Sequence, residues 1–256
     1  MAIDFHSRKN RSTYTGRQAD AGWVEAIRRI VDPAGKRVAD IGCGGGIYSQ
    51  AWHALGAEVV GVDFSEQMVA AAREHAAGLS RISFQQGDAT ATGLPAASKN
   101  VIFERALIHH LKDYTACFTE ARRVLVPGGS LIVQDRTPDD VRLPGSPEHV
   151  RGYFFERFPR LLAVELARRP TDAAVRDALQ ATGFRNVESV TLWELRKTHD
   201  DWEGLKQDLA NRTGRSILHD LSDQELAELI LFIEKRLPSD GPLVEKDRWT
   251  VWSAVA

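Results

Sequence analysis

Sulfur is scarce in this chain: 256 residues hold two cysteines, Cys43 and Cys117, and two methionines. Two cysteines cannot frame a disulfide-stapled fold or supply the usual zinc set, so both read as small buried apolar residues and no metal site is expected. No stretch approaches the roughly 18 consecutive apolar residues that cross a bilayer, which argues against a membrane-spanning helix. The opening MAIDFHSRKNRSTYTG lacks an apolar core followed by a small-residue cleavage site; no secretory leader is expected, and a cytoplasmic location is. Charge of one sign is missing too. A formal net charge of −2 gives no basic field for a polyanionic partner. The local basic pairs Arg28–Arg29, Arg122–Arg123 and Arg168–Arg169, and the Arg8–Lys9–Arg11 group, read as solvated helix faces.

What is present is an ordinary globular composition, 43% hydrophobic and 27% charged, at a length that suits one α/β domain over 1–256. Apolar runs and helical patterns alternate from about residue 20 to 135, the signature of repeated βαβ units and a mainly parallel sheet. GWVEAIRRIVD sets Trp23, Ile27, Ile30 and Val31 on one helical face, and RVADIG follows as a strand. YSQAWHALG reads as a helix ended by Gly56. EVVGVD is a second strand, with Ser65 capping the helix that follows. RISFQQGD, NVIFERAL and SLIVQD are the third to fifth strands, the last entered by a turn at the PGG of 127–129. Beyond Asp135 come an aromatic cluster, a helix from near Thr171 closed by Gly183, and strands at NVESVTLWELRK and DRWTVWSAV. Between those strands Ser222 and Glu225 form a capping box.

VADIGCGGG at 38–46 places glycines between a strand and a helix amino terminus, where free N–H groups and the helix dipole favour a ligand. Gly42, Gly44 and Gly46 let backbone approach that ligand where a Cβ would collide. Two ligand classes use such a cradle. A dinucleotide site reads G-x-G-x-x-G and rests pyrophosphate on the helix end. Here Asp40 stands two residues before the first glycine, which repels pyrophosphate and suits a ligand bearing an ammonium group; an NAD-type enzyme is disfavoured.

VADIGCGGG, VVGVDFSEQM, GDATATGLP, ERALIHHL and RVLVPGGSLIVQD, in order from about 36 to 136, resemble the successive motifs of class I S-adenosylmethionine-dependent methyltransferases. The resemblance implies a Rossmann-like, doubly wound, seven-stranded α/β sheet, mostly parallel with the last strand antiparallel. It implies that Asp40, Gly42 and Gly44 hold the methionyl end of S-adenosylmethionine and that Asp63 takes both ribose hydroxyls. Phe64 and Met68 would pack on adenine, Asp88 would accept its exocyclic amine, and Ala89 would contribute a backbone N–H. Glu104 and Arg105 would pass under the methionyl group. The segment 1–35 would cap the cofactor half at 36–136, with Tyr14 near the sulfonium and Arg17 at the cofactor carboxylate.

In this chemistry the protein aligns the acceptor for in-line displacement and excludes water. His109 and Asp135 lie on the carboxyl edge of the sheet, as the resemblance places a base and its supporting acid in small-molecule O-methyltransferases. Insertions at 137–170 and 198–246 are expected to form a helical lid, with Tyr153, Phe154, Phe155, Phe158 and Trp202 on the acceptor side. Such aromatics suggest an uncharged or amphipathic small molecule. The expectation is therefore methylation of a small molecule, at oxygen in preference, with nitrogen, sulfur and carbon acceptors open. The rival readings are methylation of tRNA or another macromolecule, and a cofactor-binding protein without turnover.

Overall fold

The structure is a computed structural model that describes residues 19–238 and 240–256. Its centre is a seven-stranded sheet of order β3-β2-β1-β4-β5-β7-β6, the strands being β1 (Arg37–Ile41), β2 (Glu58–Asp63), β3 (Ile82–Gln86), β4 (Lys99–Arg105), β5 (Leu125–Asp135), β6 (Arg185–His199) and β7 (Leu243–Val255). Strands β1 to β5 pair in parallel, and β7 pairs antiparallel with β5, so the expected doubly wound sheet with an antiparallel last strand is observed. The strand order reverses between β1 and β4, where ligands bind open α/β sheets at the carboxyl ends of the strands.

Two expectations change. The PGG of 127–129 lies inside β5, because Leu125 already pairs with Lys99 and a register shift before Val101 absorbs the glycines. The last two strands also run longer than the sequence patterns indicated.

The chain separates into two compact units. Among the described residues one comprises the chain up to Asp135 with 170–192 and 250–256. Helices α1 (Ala21–Ile30), α2 (Ile47–Ala54), α3 (Glu66–His75), α4 (Tyr114–Val124) and α8 (Asp172–Ala181) belong to it. On one sheet face Phe118, Ala121 and Val124 of α4 and Val175 and Leu179 of α8 bury Ala39, Ile102, Leu131 and Val133. On the other, Trp23 and Ile27 of α1 and Trp52 of α2 cover Val38, Val59, Val101 and Phe103. The alternation of side chains along β1 produces both faces: Val38 and Ala39 belong to different cores.

The other unit, 136–169 and 193–249, holds α5 (Pro138–Val141), α6 (Val150–Arg157), α7 (Pro159–Arg168), α9 (Trp202–Ala210) and α10 (Asp223–Glu234). The predicted capping box opens α10, Ser222 and Glu225 each bonding the other's backbone N–H. This unit also buries ion pairs. Glu165 of α7, fully buried, accepts from Arg169 at 2.8 and 2.9 Å and also binds Arg168. The Arg168–Arg169 pair is thus not a solvated face, since only the Arg168 side chain keeps appreciable exposure. A buried carboxylate needs these donors, because an unpaired charge there would be costly. No helix among the described residues is long and apolar enough to cross a membrane.

Candidate functional site

The glycine turn leaves β1 and enters α2 through a left-handed backbone, with φ of +73° at Gly42, +52° at Gly44 and +83° at Gly46. The reasons for glycine differ along it. A Cβ on Gly46 would lie 3.1 Å from Ala72 and the Phe84 ring, whereas a Cβ on Gly44 would meet nothing within 4 Å. Gly44 therefore has open space where a side chain would stand.

Two acids flank this turn at adjacent strand ends. Asp63 closes β2 and accepts from Gly44 N and Ser65 N, both at 2.9 Å, so it fastens the turn to the end of β2. Asp40, 2% exposed on β1, accepts from Ser49 Oγ at 2.5 Å. Burial pushes its carboxyl up to about 7; Asp63 pushes the same way, and the Ser49 bond and Arg105 oppose. A buried acid at this value is suited to a ligand that brings a cation. Ser49 was not singled out in the sequence, although its place in the first turn of α2, behind the glycines, is the signal that marks it.

Phe64 follows Asp63 and leaves half its surface exposed, while Met68 is buried in α3 with its N–H on the Ser65 hydroxyl. Asp88 accepts from Thr90 N at 2.8 Å and Thr90 Oγ1 at 2.6 Å, bonds that hold its carboxyl below the ordinary range. It is thus an ionised turn-forming acid, and Ala89 beside it packs on the first core. Arg105 lays its guanidinium 4.2 Å from the centre of the Tyr48 ring. Glu104 is 1% exposed, accepts from the Cys117 thiol at 3.3 Å, and has its carboxyl pushed up to about 7 by burial. Both cysteines are buried, as expected. Tyr14 and Arg17 lie outside the described residues.

At the carboxyl edge, β4 ends and a 3-10 turn at Ile108–His110 begins. Ala106 takes a left-handed φ of +51° and donates its N–H to Gln134 O at 2.8 Å, which ties the turn to β5. His109 Nδ1 then lies 2.8 and 3.0 Å from the two carboxylate oxygens of Asp135, and its backbone N–H reaches Asp135 Oδ2 at 3.3 Å. The acid is fully buried and the imidazole nearly so. The two residues named from sequence are brought together as a hydrogen-bonded pair.

The five aromatics expected to face an acceptor lie in the other unit. Tyr153, Phe154, Phe155 and Phe158 belong to its buried core with Leu205, Leu209 and Leu229, and Trp202 packs against that core. His199, Asp208 and Glu245 bring ligand atoms within 4.8 Å of one another there. Arg196 and Arg215 already bind both carboxylates, so the trio is neutralised by guanidinium groups and attracts no cation.

A glycine turn between acid-tipped parallel strands, on a seven-stranded sheet with β7 inserted antiparallel beside β5, defines the class I methyltransferase fold. Residues 39–133 match the family model described as a methyltransferase domain. It is 33% identical over 174 residues to phosphoethanolamine N-methyltransferase of Triticum aestivum, a match covering 65% of this chain and 32% of the wheat enzyme. It is 29% identical to a ubiquinone biosynthesis O-methyltransferase of Sinorhizobium fredii, over 65% of this chain and 70% of that protein. The chain therefore spans about a third of the plant relative's length. Among solved structures, phosphoethanolamine N-methyltransferase 2 of Haemonchus contortus in complex with S-adenosyl-L-methionine aligns with a TM-score of 0.60 at 20% identity, covering 99% of this chain and 60% of that one. An S-adenosylmethionine-dependent methyltransferase from Mesorhizobium loti aligns at 0.54 and 21% identity, covering 93% and 98%. These two likenesses establish the shared fold.

Proposed function

We propose that this chain is an S-adenosylmethionine-dependent methyltransferase acting on a small molecule, and that transfer is to oxygen. The donor half of the reading is supported by the fit between residues and ligand. Gly44 faces open space, Asp40 is a buried acid in need of a cation, Asp63 offers a carboxylate to a diol, and exposed Phe64 offers a ring to adenine, with Asp88 and Ala89 on the next loop. Glu104 and Arg105, at the end of β4, would lie beneath the methionyl group. When bound, the donor supplies an electrophilic methyl group on a sulfonium.

The His109–Asp135 pair carries the oxygen assignment. With Nδ1–H donated to the carboxylate, proton transfer falls to Nε2, and Asp135 fixes the tautomer and stabilises the imidazolium that forms. A hydroxyl acceptor is protonated at neutral pH, and such a base removes its proton as the oxygen attacks. Tyr153, Phe154, Phe155, Phe158 and Trp202, packed in or against the core of the 136–169 and 193–249 unit, are assigned an influence on acceptor choice through that packing.

The test is a methyl-transfer assay over a panel of phenols, alcohols and amines. His109→Ala is expected to lower kcat for a hydroxyl acceptor by roughly a hundredfold or more, and to remove the acid limb of the pH profile, with donor affinity retained. An unchanged rate across pH would refute the base assignment. Turnover confined to amines would refute the oxygen assignment.

A further inference from the structure

Loop 87–94, between β3 and β4, carries Asp88 and has little regular structure of its own: a turn at Asp88–Ala91 closed by one bridge. Yet it is held from behind by α4. Glu120, 8% exposed, accepts from Thr92 N at 2.9 Å and Thr92 Oγ1 at 2.6 Å through the same carboxylate oxygen. Arg123, one turn further along α4, donates to both oxygens of Glu120 at 2.7 Å and to Leu94 O at 2.7 Å. Gln85 of β3 donates to Thr92 O at 2.9 Å. Thr92 is itself 2% exposed, and Arg123 holds the Glu120 carboxyl down at about 2, so the acceptor is fully charged at any working pH.

We propose that Glu120, with Arg123, is a positioning residue for donor recognition: it fixes the loop so that Asp88 presents its carboxylate at a set distance to the exocyclic amine of adenine. Thr92 is four residues from Asp88, and the turn between them is closed by Thr90 on Asp88 and by Ala91 N on Asp88 O at 3.0 Å. The chain from the clamp to the reading carboxylate therefore has little slack. Charge-assisted bonds to an ionised carboxylate are the stronger kind, and two of them converge on one buried threonine. The clamp acts on the purine end of the donor and on nothing at the methyl-transfer end.

This inference rests on the donor reading above, and the experiment separates the two. Calorimetry would compare S-adenosylhomocysteine with S-inosylhomocysteine, in which a carbonyl replaces the exocyclic amine, for the whole chain, Glu120→Gln, Asp88→Ala and the double variant. The unmodified chain is expected to prefer the adenine ligand. Glu120→Gln is expected to shrink that preference by roughly tenfold, on the scale of one lost charge-assisted bond. It should raise the donor KM and leave kcat at saturating donor within about twofold. In the Asp88→Ala background the same change should add little, since the loop then has nothing to present. Thr92→Val removes the hydroxyl side of the clamp at equal volume and should shift the preference in the same direction. A preference unchanged in both Glu120→Gln and Thr92→Val, or both ligands weakened equally, overturns the positioning role and leaves the donor reading standing. An unmodified chain that binds neither ligand overturns the donor reading and the clamp's role together.

Discussion

On the proposed donor reading, the buried acid near the end of β1 makes donor binding a proton-linked event with a predictable profile. Asp40 is raised from the ordinary 3.8 to about 7. That difference is about 3 pH units, and at 1.36 kcal/mol per unit the burial of its charge costs on the order of 4 kcal/mol. The native chain thus keeps a proton that the unfolded chain has released. This contribution to stability is complete at low pH and is lost as pH rises through 7. A ligand ammonium beside Asp40 reverses the balance, because its attraction is available only to the ionised form. At pH 5 about 1% of such a group is ionised, so affinity for S-adenosylmethionine should fall about a hundredfold between pH 8 and pH 5. Above about pH 8 the donor's own α-amino group loses its proton and affinity falls again.

Calorimetry from pH 5 to 9 in buffers of differing ionisation heat would measure both the affinity and the protons released. Near pH 6 the release should approach one per ligand. Asp40→Asn keeps the contact to Ser49, removes the acid limb, and weakens the donor by roughly tenfold or more at pH 7.5. The ligand 5′-methylthioadenosine, which has no amino-acid end, should show no such limb and should bind both proteins alike. A flat affinity from pH 5 to 7.5, or a limb that survives Asp40→Asn, would refute the cation-recognition argument.

Glu104 offers a parallel test on stability alone, since its carboxyl rises from 4.5 to about 7 inside the core. By the same sign, native stability drains as pH rises from about 4.5 to 7; Glu104→Gln should stabilise the chain at pH 8 by up to about 3 kcal/mol and change little at pH 4, and denaturant melts at the two values check it. Gly61→Ala in β2 should destabilise by about 1–3 kcal/mol, because its Cβ would lie 2.5 Å from the Phe84 ring and 2.9 Å from Cys43 Sγ; a melting temperature equal to that of the unmodified chain would contradict the packing described.

The donor half of the molecule is legible in its sequence because each functional side chain sits at a strand end, and strand ends are marked by where an apolar run meets an acid. Asp63 and Asp135 close such runs, and Asp40 stands one residue before the end of its own. Helix caps are equally local, and Ser65 and Ser222 cap where their positions indicate. The start of β5 escaped notice because proline and glycine at 127–129 are turn residues by propensity, and only a cross-strand partner, Lys99, makes strand of Leu125 and Val126. Partners distant in sequence also hid the polar interior of the 136–169 and 193–249 unit. Arg215 looks like any surface arginine until Asp208 and Glu245, 7 and 30 positions away, enclose it at 1% exposure. No local pattern distinguishes a buried guanidinium from a solvated one.

The same distinction explains why the donor is readable and the acceptor is not. The proposed donor recognition uses mainly short-range devices, a turn, a cap and acids near strand ends, and the Glu120–Thr92 contact, 28 positions apart, is its long-range part. The helices of the other unit instead build a core in which Phe154 contacts residues from distant segments, so its surroundings are a property of tertiary packing. An acceptor pocket made of such side chains can change its shape by substitution at many positions without altering any local signal. The aromatic composition of 153–158 therefore reports a packed helix first and an acceptor only through the assay. The His109–Asp135 pair is marked by local sequence as well, because Asp135 ends β5, His109 follows the end of β4 by four residues, and the parallel pairing of the two strands brings them together.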